Sequence, residues 1–483
     1  MYDVAVIGAG IIGTSIGREL TKYDLKVIIL ERENDVSCGT TKANSGIVHA
    51  GYDTPYGTMK AKMNVRGNEL FGDFCKDLSV PFERIGSLVV AHTDEEVKTL
   101  EALLENGMKL GVPDLRILSR AEVREKEPAL NQDILCALHA PTAGIVEPWE
   151  MAMACAENAV ENGGELQLDF CVKSIEKTEE GFSISDGKME IRTRIIVNAA
   201  GVYGDAVYGM VAEPEFQIHP RRGQYYLLDK QAEGLVHSVI FPCPTEKGKG
   251  TLITPTVDGN ILIGPDSQDL GMDEKERVDT TYDRLGKVRE MAKKSVDCLP
   301  YDLNITTFAG LRAEATGGDF IIEKSKTVKG FINAVGMKSP GLSSAPAVAE
   351  YVAELVKSTF ETELGRTVKM NPDFSPVRKP RVKFHKLSWA ERETLIAENP
   401  LYGRIICRCE GITEGEIVDA IHRNPGGRTL NGIKRRARPG AGRCQGGFCG
   451  PRVMEILARE LGVDIHEIRQ EGNDSWILSG DTK

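Results

Sequence analysis

The first residues whose types and spacing could do chemistry are Gly8-Ala9-Gly10-Ile11-Ile12-Gly13. Gly8 permits a tight turn, Gly10 lets backbone approach a pyrophosphate, and Gly13 lets a helix press against a sheet. A helix opening there offers unpaired N–H groups and a positive dipole end to phosphates. Glu31 stands close to the spacing of roughly 20 residues at which an acid accepts hydrogen bonds from an adenosine ribose. That acid favours a free ribose hydroxyl, and so FAD or NAD over NADP. Four cysteines form a second concentration, Cys407 and Cys409 as C-x-C, Cys444 and Cys449 as C-x₄-C. Four thiolates on two glycine-rich turns can hold a [2Fe–2S] cluster, two per iron. Tetrahedral zinc competes for the same donors, although its usual ligand spacing differs. His49, among small and apolar neighbours, is either a structural histidine or an imidazole that titrates near working pH.

These residues need elements to position them. Residues 2–8 and 26–30 are apolar runs, with a helical pattern over 14–21 between them: strand, glycine turn, helix, strand, acid. Residues 34–51 are rich in small side chains and read as a loop with a short helix beside a ligand. Helical patterns follow over 55–78, 94–110 and 149–162, with strands over 86–92 and 165–177. Residues 191–201 read as a strand that delivers Asn198-Ala199-Ala200-Gly201 to a place where backbone passes near a cofactor. Residues 216–229 and 252–264 alternate like strands of an antiparallel sheet with one ligand-facing side. Residues 305–322 and 330–335 return to strands, and the turn from Gly336 to Ser343 aims a second helix, over 346–356, at the far end of the nucleotide. Residues 371–404 are proline- and cation-rich, with one short helix near 388–399, and read as a linker.

At 483 residues the chain is expected to form two or three domains. Its net charge of -11 opposes nucleic-acid binding, which needs a basic footprint. The one dense basic run, Lys434-Arg435-Arg436-Ala437-Arg438, reads as solvated helix surface or a docking patch for an acidic partner. With a nucleotide fold starting at the second residue and no apolar run near the ~20 residues that span a bilayer, a cytoplasmic protein without a signal peptide is expected. Of 11 cysteines, the seven before residue 300 read as buried free thiols.

Taken together, Val6-Ile7-Gly8-Ala9-Gly10 with Glu31, Asn44-Ser45-Gly46-Ile47-Val48-His49, Pro220-Arg221-Arg222-Gly223-Gln224-Tyr225, Thr254-Pro255-Thr256 with Gly259-Asn260, Ile263-Gly264-Pro265, Ala309-Gly310-Leu311-Arg312 and Ser339-Pro340-Gly341-Leu342 resemble FAD-dependent dehydrogenases and oxidases of the D-amino-acid-oxidase-like superfamily. The resemblance covers about the first 360 residues; its closest branches are the glycerol-3-phosphate and L-2-hydroxyglutarate dehydrogenases. The cysteine segment resembles bacterioferritin-associated ferredoxin, which favours [2Fe–2S] over zinc. The combination resembles the catalytic subunit of anaerobic-type glycerol-3-phosphate dehydrogenases.

This resemblance implies an α/β fold: a Rossmann-like FAD domain with an inserted antiparallel substrate domain, over 1–370. FAD parts would lie at about 1–80, 145–205 and 305–360, substrate parts at about 81–144 and 206–304. A linker would run over 371–403, and a small helical and loop [2Fe–2S] domain over 404–483. Implied FAD contacts are Gly8, Gly10, Ile12, Gly13, Glu31, Arg32, Thr40, Thr41, Asn44, Ser45, Val172, Ala200, Gly201, Gly310, Arg312, Gly336, Gly341, Leu342 and Ser343. His49 would be the general base. Arg312 would hold a phosphate or carboxylate, where a planar fork suits such anions. Lys338 would touch substrate, stabilise reduced flavin, or form a surface ion pair. The substrate would be a small anionic alcohol, with 2-hydroxy acids and amines or amino acids as alternatives, and electrons would leave through the cluster to a partner subunit. Related dehydrogenases carry an arginine just after the histidine-glycine segment; here Tyr52-Asp53 follows Gly51.

Overall fold

The computed structural model describes residues 1–244 and 250–480. Strand β1 (Tyr2–Ile7) lies between β2 (Val27–Leu30) and β3 (Glu190–Asn198), parallel to both. Parallel strands covered on both faces read as continuous apolar runs, as Val4 to Ile7 and Val27 to Leu30 do. The sheet continues in parallel from β2 to Glu165–Gln167 and from the end of β3 to Phe331–Val335. Helix α1 (Ile11–Leu20) packs on this sheet beside α2 (Pro148–Glu161) and α3 (Gly341–Glu363). Gly17 lets α1 approach: a Cβ there would lie 2.4 Å from Ile29 Cδ1.

A second, mostly antiparallel sheet is built around β4 (Ile218–Leu228), with β5 (Leu252–Pro255), β6 (Ile261–Gly264) and β7 (Asn304–Ala315). β4 and β7 pair antiparallel from Ile218 opposite Ala315 to Leu228 opposite Asn304. Gly310 and Arg312, expected on an FAD-domain strand, are therefore carried by this second sheet.

Several expected elements differ in extent. The strand expected over 165–177 is two. Asp169, at φ +57°, ends the first at one edge of the sheet, and Ser174–Thr178 rejoins the same sheet at its other end, antiparallel to Gly181–Ser185. The run over 252–264 is a hairpin, β5 and β6, broken at Gly259 with φ +84°. Helix α3 begins at Gly341, before the expected 346, because Gly341 to Ser344 look like a turn in sequence but continue the helix. Of the seven scattered cysteines, Cys75, Cys155 and Cys243 are buried, whereas Cys171 and Cys298 are exposed; all are free thiols.

Residues 371–403 carry cations that pack on the FAD unit. Arg378 is fully buried, with Nε donating to Glu157 Oε2 (2.5 Å) and Nη1 to the Leu78 carbonyl (3.2 Å). Arg381 reaches Glu157 at 2.6 Å, and Arg423, further on, at 3.1 Å. The solvated reading of the basic run is overturned. Helix α4 (Leu430–Ala437) buries Arg435 and Arg436 against Asp35 at 3.1 and 2.6 Å. Taking a guanidinium from water is costly unless partners replace its hydration, and the carboxylate that does so here belongs to the same chain. The small C-terminal core gathers Ile412, Ile417, Ile433, Val453 and Leu457. No described helix is long and apolar enough to cross a membrane.

Burial raises the Glu157 carboxyl, but Arg381 and Arg378 outweigh it and bring it down to about 2. A depressed carboxylate adds stability above its unfolded pKa and loses it as pH falls through the folded value. Glu157→Gln is expected to cost about 3 kcal/mol in denaturant unfolding between pH 5 and 8. That gap should close as pH falls from about 4.5 towards 2.

Candidate functional site

The two sheets enclose a cavity of about 1680 Å³ that runs from Glu31 and Arg32 past Gly8 and Gly10 to Ser339 and Leu342. Single small-molecule pockets are about 300–1,000 Å³. This one can take an extended dinucleotide with a second small ligand beside it. At its narrow end the glycines do what their spacing implied. Gly8 has φ +107°, and a Cβ on it would meet the Ala199 carbonyl at 2.5 Å. A Cβ on Gly13 would lie 1.8 Å from the Gly8 carbonyl, so α1 can start only with glycine there. The Ile11 N–H donates to Thr41 Oγ1 (3.0 Å), which closes the residue 34–51 loop onto the helix start. Glu31 accepts from the Ala9 N–H at 2.7 Å and the Glu33 N–H at 3.0 Å. These bonds orient its carboxylate at the cavity wall, while burial raises its pKa.

Gly310 is pressed on the same loop, and a Cβ there would stand 1.9 Å from the Ala43 carbonyl. Thr40 Oγ1 donates to the Leu311 carbonyl at 2.6 Å. Asn44 braces the loop, with Nδ2 donating to the Thr41 carbonyl (2.9 Å) and Oδ1 accepting from the Gly46 N–H (2.8 Å). Of the residues expected to contact FAD, all line the cavity except Gly13, Gly336 and Ser343. Gly13 and Gly336 are contact points of backbone, the latter at φ +76° against Ala315. The Ser343 hydroxyl is buried and accepts from the His49 N–H at 2.8 Å.

His49, Arg312 and Lys338 all line the wide end. His49 Nε2 lies 3.2 Å from Ser339 Oγ, and its ring is tilted against Phe241 with centroids 5.8 Å apart. Arg312 Nη2 donates to the Asp266 carbonyl at 2.9 Å, and among the described residues no carboxylate pairs with it. Gly223 makes its space, since a Cβ there would be 2.6 Å from Nη2. Lys338 is ion-paired with Glu314, which also takes Arg221 at 3.0 Å. Lys338 thus lines the cavity while its ammonium is held in an ion pair. Arg221 and Tyr225 also line this end, and Tyr225 stacks on Phe308 with centroids 4.7 Å apart. Neither was singled out as a site residue. The period-2 alternation of β4 was the signal, since Arg221, Gly223 and Tyr225 share one face. Tyr52, which follows Gly51, is buried and packs on Gly107.

The four C-terminal cysteines are free thiols in two pairs. Cys409 and Cys444 sulfurs are 3.8 Å apart, and Cys407 takes a hydrogen bond from Cys449. That bond and the Gly440 and Glu410 N–H groups bring Cys407 down to about 6. Among the described residues no three His, Cys, Asp or Glu groups converge as a single ion requires. Two pairs of sulfurs, with backbone N–H groups aimed at them, fit two irons with two thiolates each better than one tetrahedral zinc. The turns admit no more bulk: a Cβ on Gly442 would lie 2.5 Å from Cys409 Cβ.

Residues 3–355 match the FAD dependent oxidoreductase family (DAO), and residues 405–459 match the BFD-like [2Fe-2S] binding domain. The chain belongs to the FAD-dependent oxidoreductase family. FAD is thus the dinucleotide of the cavity, and the cysteine pairs belong to a [2Fe–2S] domain. A glycerol 3-phosphate dehydrogenase from Caloramator mitchellensis is 52% identical over 483 residues, covering 100% of this oxidoreductase and 99% of the relative. A glycerol 3-phosphate oxidase from Mycoplasma genitalium is 31% identical, covering 77% of this chain and 98% of its own. The solved L-alpha-glycerophosphate oxidase from Mycoplasma pneumoniae, with FAD bound, superposes with a TM-score of 0.73 at 28% identity. It covers 79% of this chain and 99% of its own.

Gly310→Ala should force the Ala43 carbonyl away and yield protein with much less bound flavin, read as the absorbance ratio of purified enzyme. Cys444→Ser should abolish the cluster's absorption and EPR signal while flavin content stays at the wild-type level.

Proposed function

We propose that this oxidoreductase oxidises sn-glycerol 3-phosphate to dihydroxyacetone phosphate and delivers the electrons, by way of its iron–sulfur domain, to a partner protein. The end-to-end 52% identity with a glycerol 3-phosphate dehydrogenase, cysteine segment included, carries this reading. The end of the cavity lined by His49 and Arg312 is consistent with it, since an imidazole stands there with a guanidinium that pairs with no carboxylate among the described residues.

Bound FAD supplies a two-electron acceptor for a hydride, and the cluster a one-electron carrier. The residues of the chain bind, orient and move the proton. Arg312 takes the phosphate, because one of its N–H groups is fixed on the Asp266 carbonyl and the rest of the fork remains for an anion. Tyr52 occupies the place of the family's additional arginine and is buried, so phosphate binding rests on Arg312. His49 accepts the hydroxyl proton as the C–H bond of the same carbon gives up its hydride. Its backbone is held by Ser343 and its ring by Ser339, so the imidazole is placed before substrate arrives. Lys338 and Arg221 share Glu314, and Arg221 also pairs with Asp269 at 2.6 Å, so these two cations are balanced by two carboxylates.

Anaerobic addition of sn-glycerol 3-phosphate should bleach the flavin, and L-2-hydroxyglutarate and a panel of amino acids should not. Bleaching by one of those and not by the phosphate would overturn the substrate assignment. Arg312→Ala should raise KM about 10- to 100-fold, the worth of a charge-assisted hydrogen bond, with a smaller change in kcat. His49→Asn should lower kcat about 10²- to 10⁴-fold, as loss of a general base does, with flavin content unchanged.

A further inference from the structure

The cations of helix α4 meet the first unit at two places, and the second lies beside the cysteine turns. Arg438 closes α4 with φ +67°. Helix ends in this left-handed conformation favour glycine or asparagine, because a Cβ crowds the following carbonyl. The arginine here is turned inward onto three carboxylates: Glu147 at 3.1 Å, Asp258 at 2.6 Å and Glu410 at 3.1 Å. Each comes from a different part of the molecule. Glu147 immediately precedes α2 in the FAD unit. Asp258 lies at the tip of the β5–β6 hairpin, whose Leu252 lines the cavity. Glu410 follows Cys409 and is also held at 2.9 Å by Lys230, in the short turn just after β4. A Cβ on Gly442 would meet Glu410 Oε1 at 3.0 Å, so Glu410 also touches the second cysteine turn. The N–H groups of Glu410 and of Gly440, two residues beyond Arg438, are both aimed at Cys407.

We infer that Arg438 is a positioning residue for electron transfer. By joining Glu147, Asp258 and Glu410 it fixes the Cys407–Cys409 turn against the FAD unit and the β5–β6 hairpin, which sets the separation electrons must cross. The inference rests on the proposed route from substrate to iron–sulfur domain. Each alcohol oxidised releases a hydride, hence two electrons, and one proton. A one-electron carrier must be emptied to the acceptor protein between the two transfers, so a loose turn would slow both. A residue serving only to end a helix would be improved by glycine at this φ; an arginine there is explained by its three partners.

The test uses full-length, cofactor-loaded Arg438→Gly and Arg438→Lys, mixed anaerobically with sn-glycerol 3-phosphate. Flavin bleaching is followed by absorbance and cluster reduction by rapid-freeze EPR. Hydrogen exchange of residues 405–413 is measured separately in cofactor-free protein. In Arg438→Gly, flavin bleaching should stay within twofold of wild type, cluster reduction should slow at least tenfold, and the turn should exchange faster. Arg438→Lys should recover part of the transfer rate. Unchanged transfer and exchange in Arg438→Gly, or flavin bleaching that falls as far as transfer does, would overturn the assignment. Wild-type protein whose flavin bleaches while its cluster stays oxidised would sink the proposed route; the exchange measurement would still decide whether Arg438 holds the turn.

Discussion

The guanidinium groups that the C-terminal third buries against the rest of the chain are held by fixed carboxylates, and this constraint ties the chain together. Three arginines from the C-terminal third converge on Glu157 of α2, two more on Asp35 beside the dinucleotide loop, and Arg438 on three acids from three regions. Taking such ions from water is costly, and removing one partner strands the others. The iron–sulfur domain is therefore joined to the rest of the chain by directed ion pairs.

A second constraint acts at the cavity, where backbone must come closer to backbone than any side chain permits. Gly8 against Ala199, Gly13 against Gly8, and Gly310 against Ala43 are the points of approach. They bring strands of two different sheets to one channel: β1 and the loop after β2 supply the narrow end, and β4 and β7 the wide end. Nucleotide binding and substrate chemistry are thus joined along a single cleft, although their residues lie some 300 positions apart in sequence.

The contrast between Arg312 and Lys338 shows how local environment sorts like-charged residues. Both are cations on the cavity wall. Lys338 faces Glu314, whereas Arg312 meets a backbone carbonyl and, among the described residues, no carboxylate. Only the second arrangement leaves charge for an incoming anion, and no spacing rule in the sequence separates the two.

Local chemistry was legible in the sequence wherever one short segment carries it whole. The glycine turn with Glu31 announces a dinucleotide because tight turn, close approach and helix packing are needed within a few residues of each other. The two cysteine pairs announce thiolate ligation for the same reason. The alternation of β4 even marks the face bearing Arg221, Gly223 and Tyr225. What only the tertiary structure decided depends on distant partners. Composition alone made the run from Lys434 to Arg438 look solvated, because Asp35 lies 400 residues from Arg435 in the chain. Strand β7 looked like part of the nucleotide domain until its pairing with β4 placed it in the other sheet. Short-range pattern reports what a residue can do; burial and the charge of its neighbours, set by long-range contacts, decide what it does.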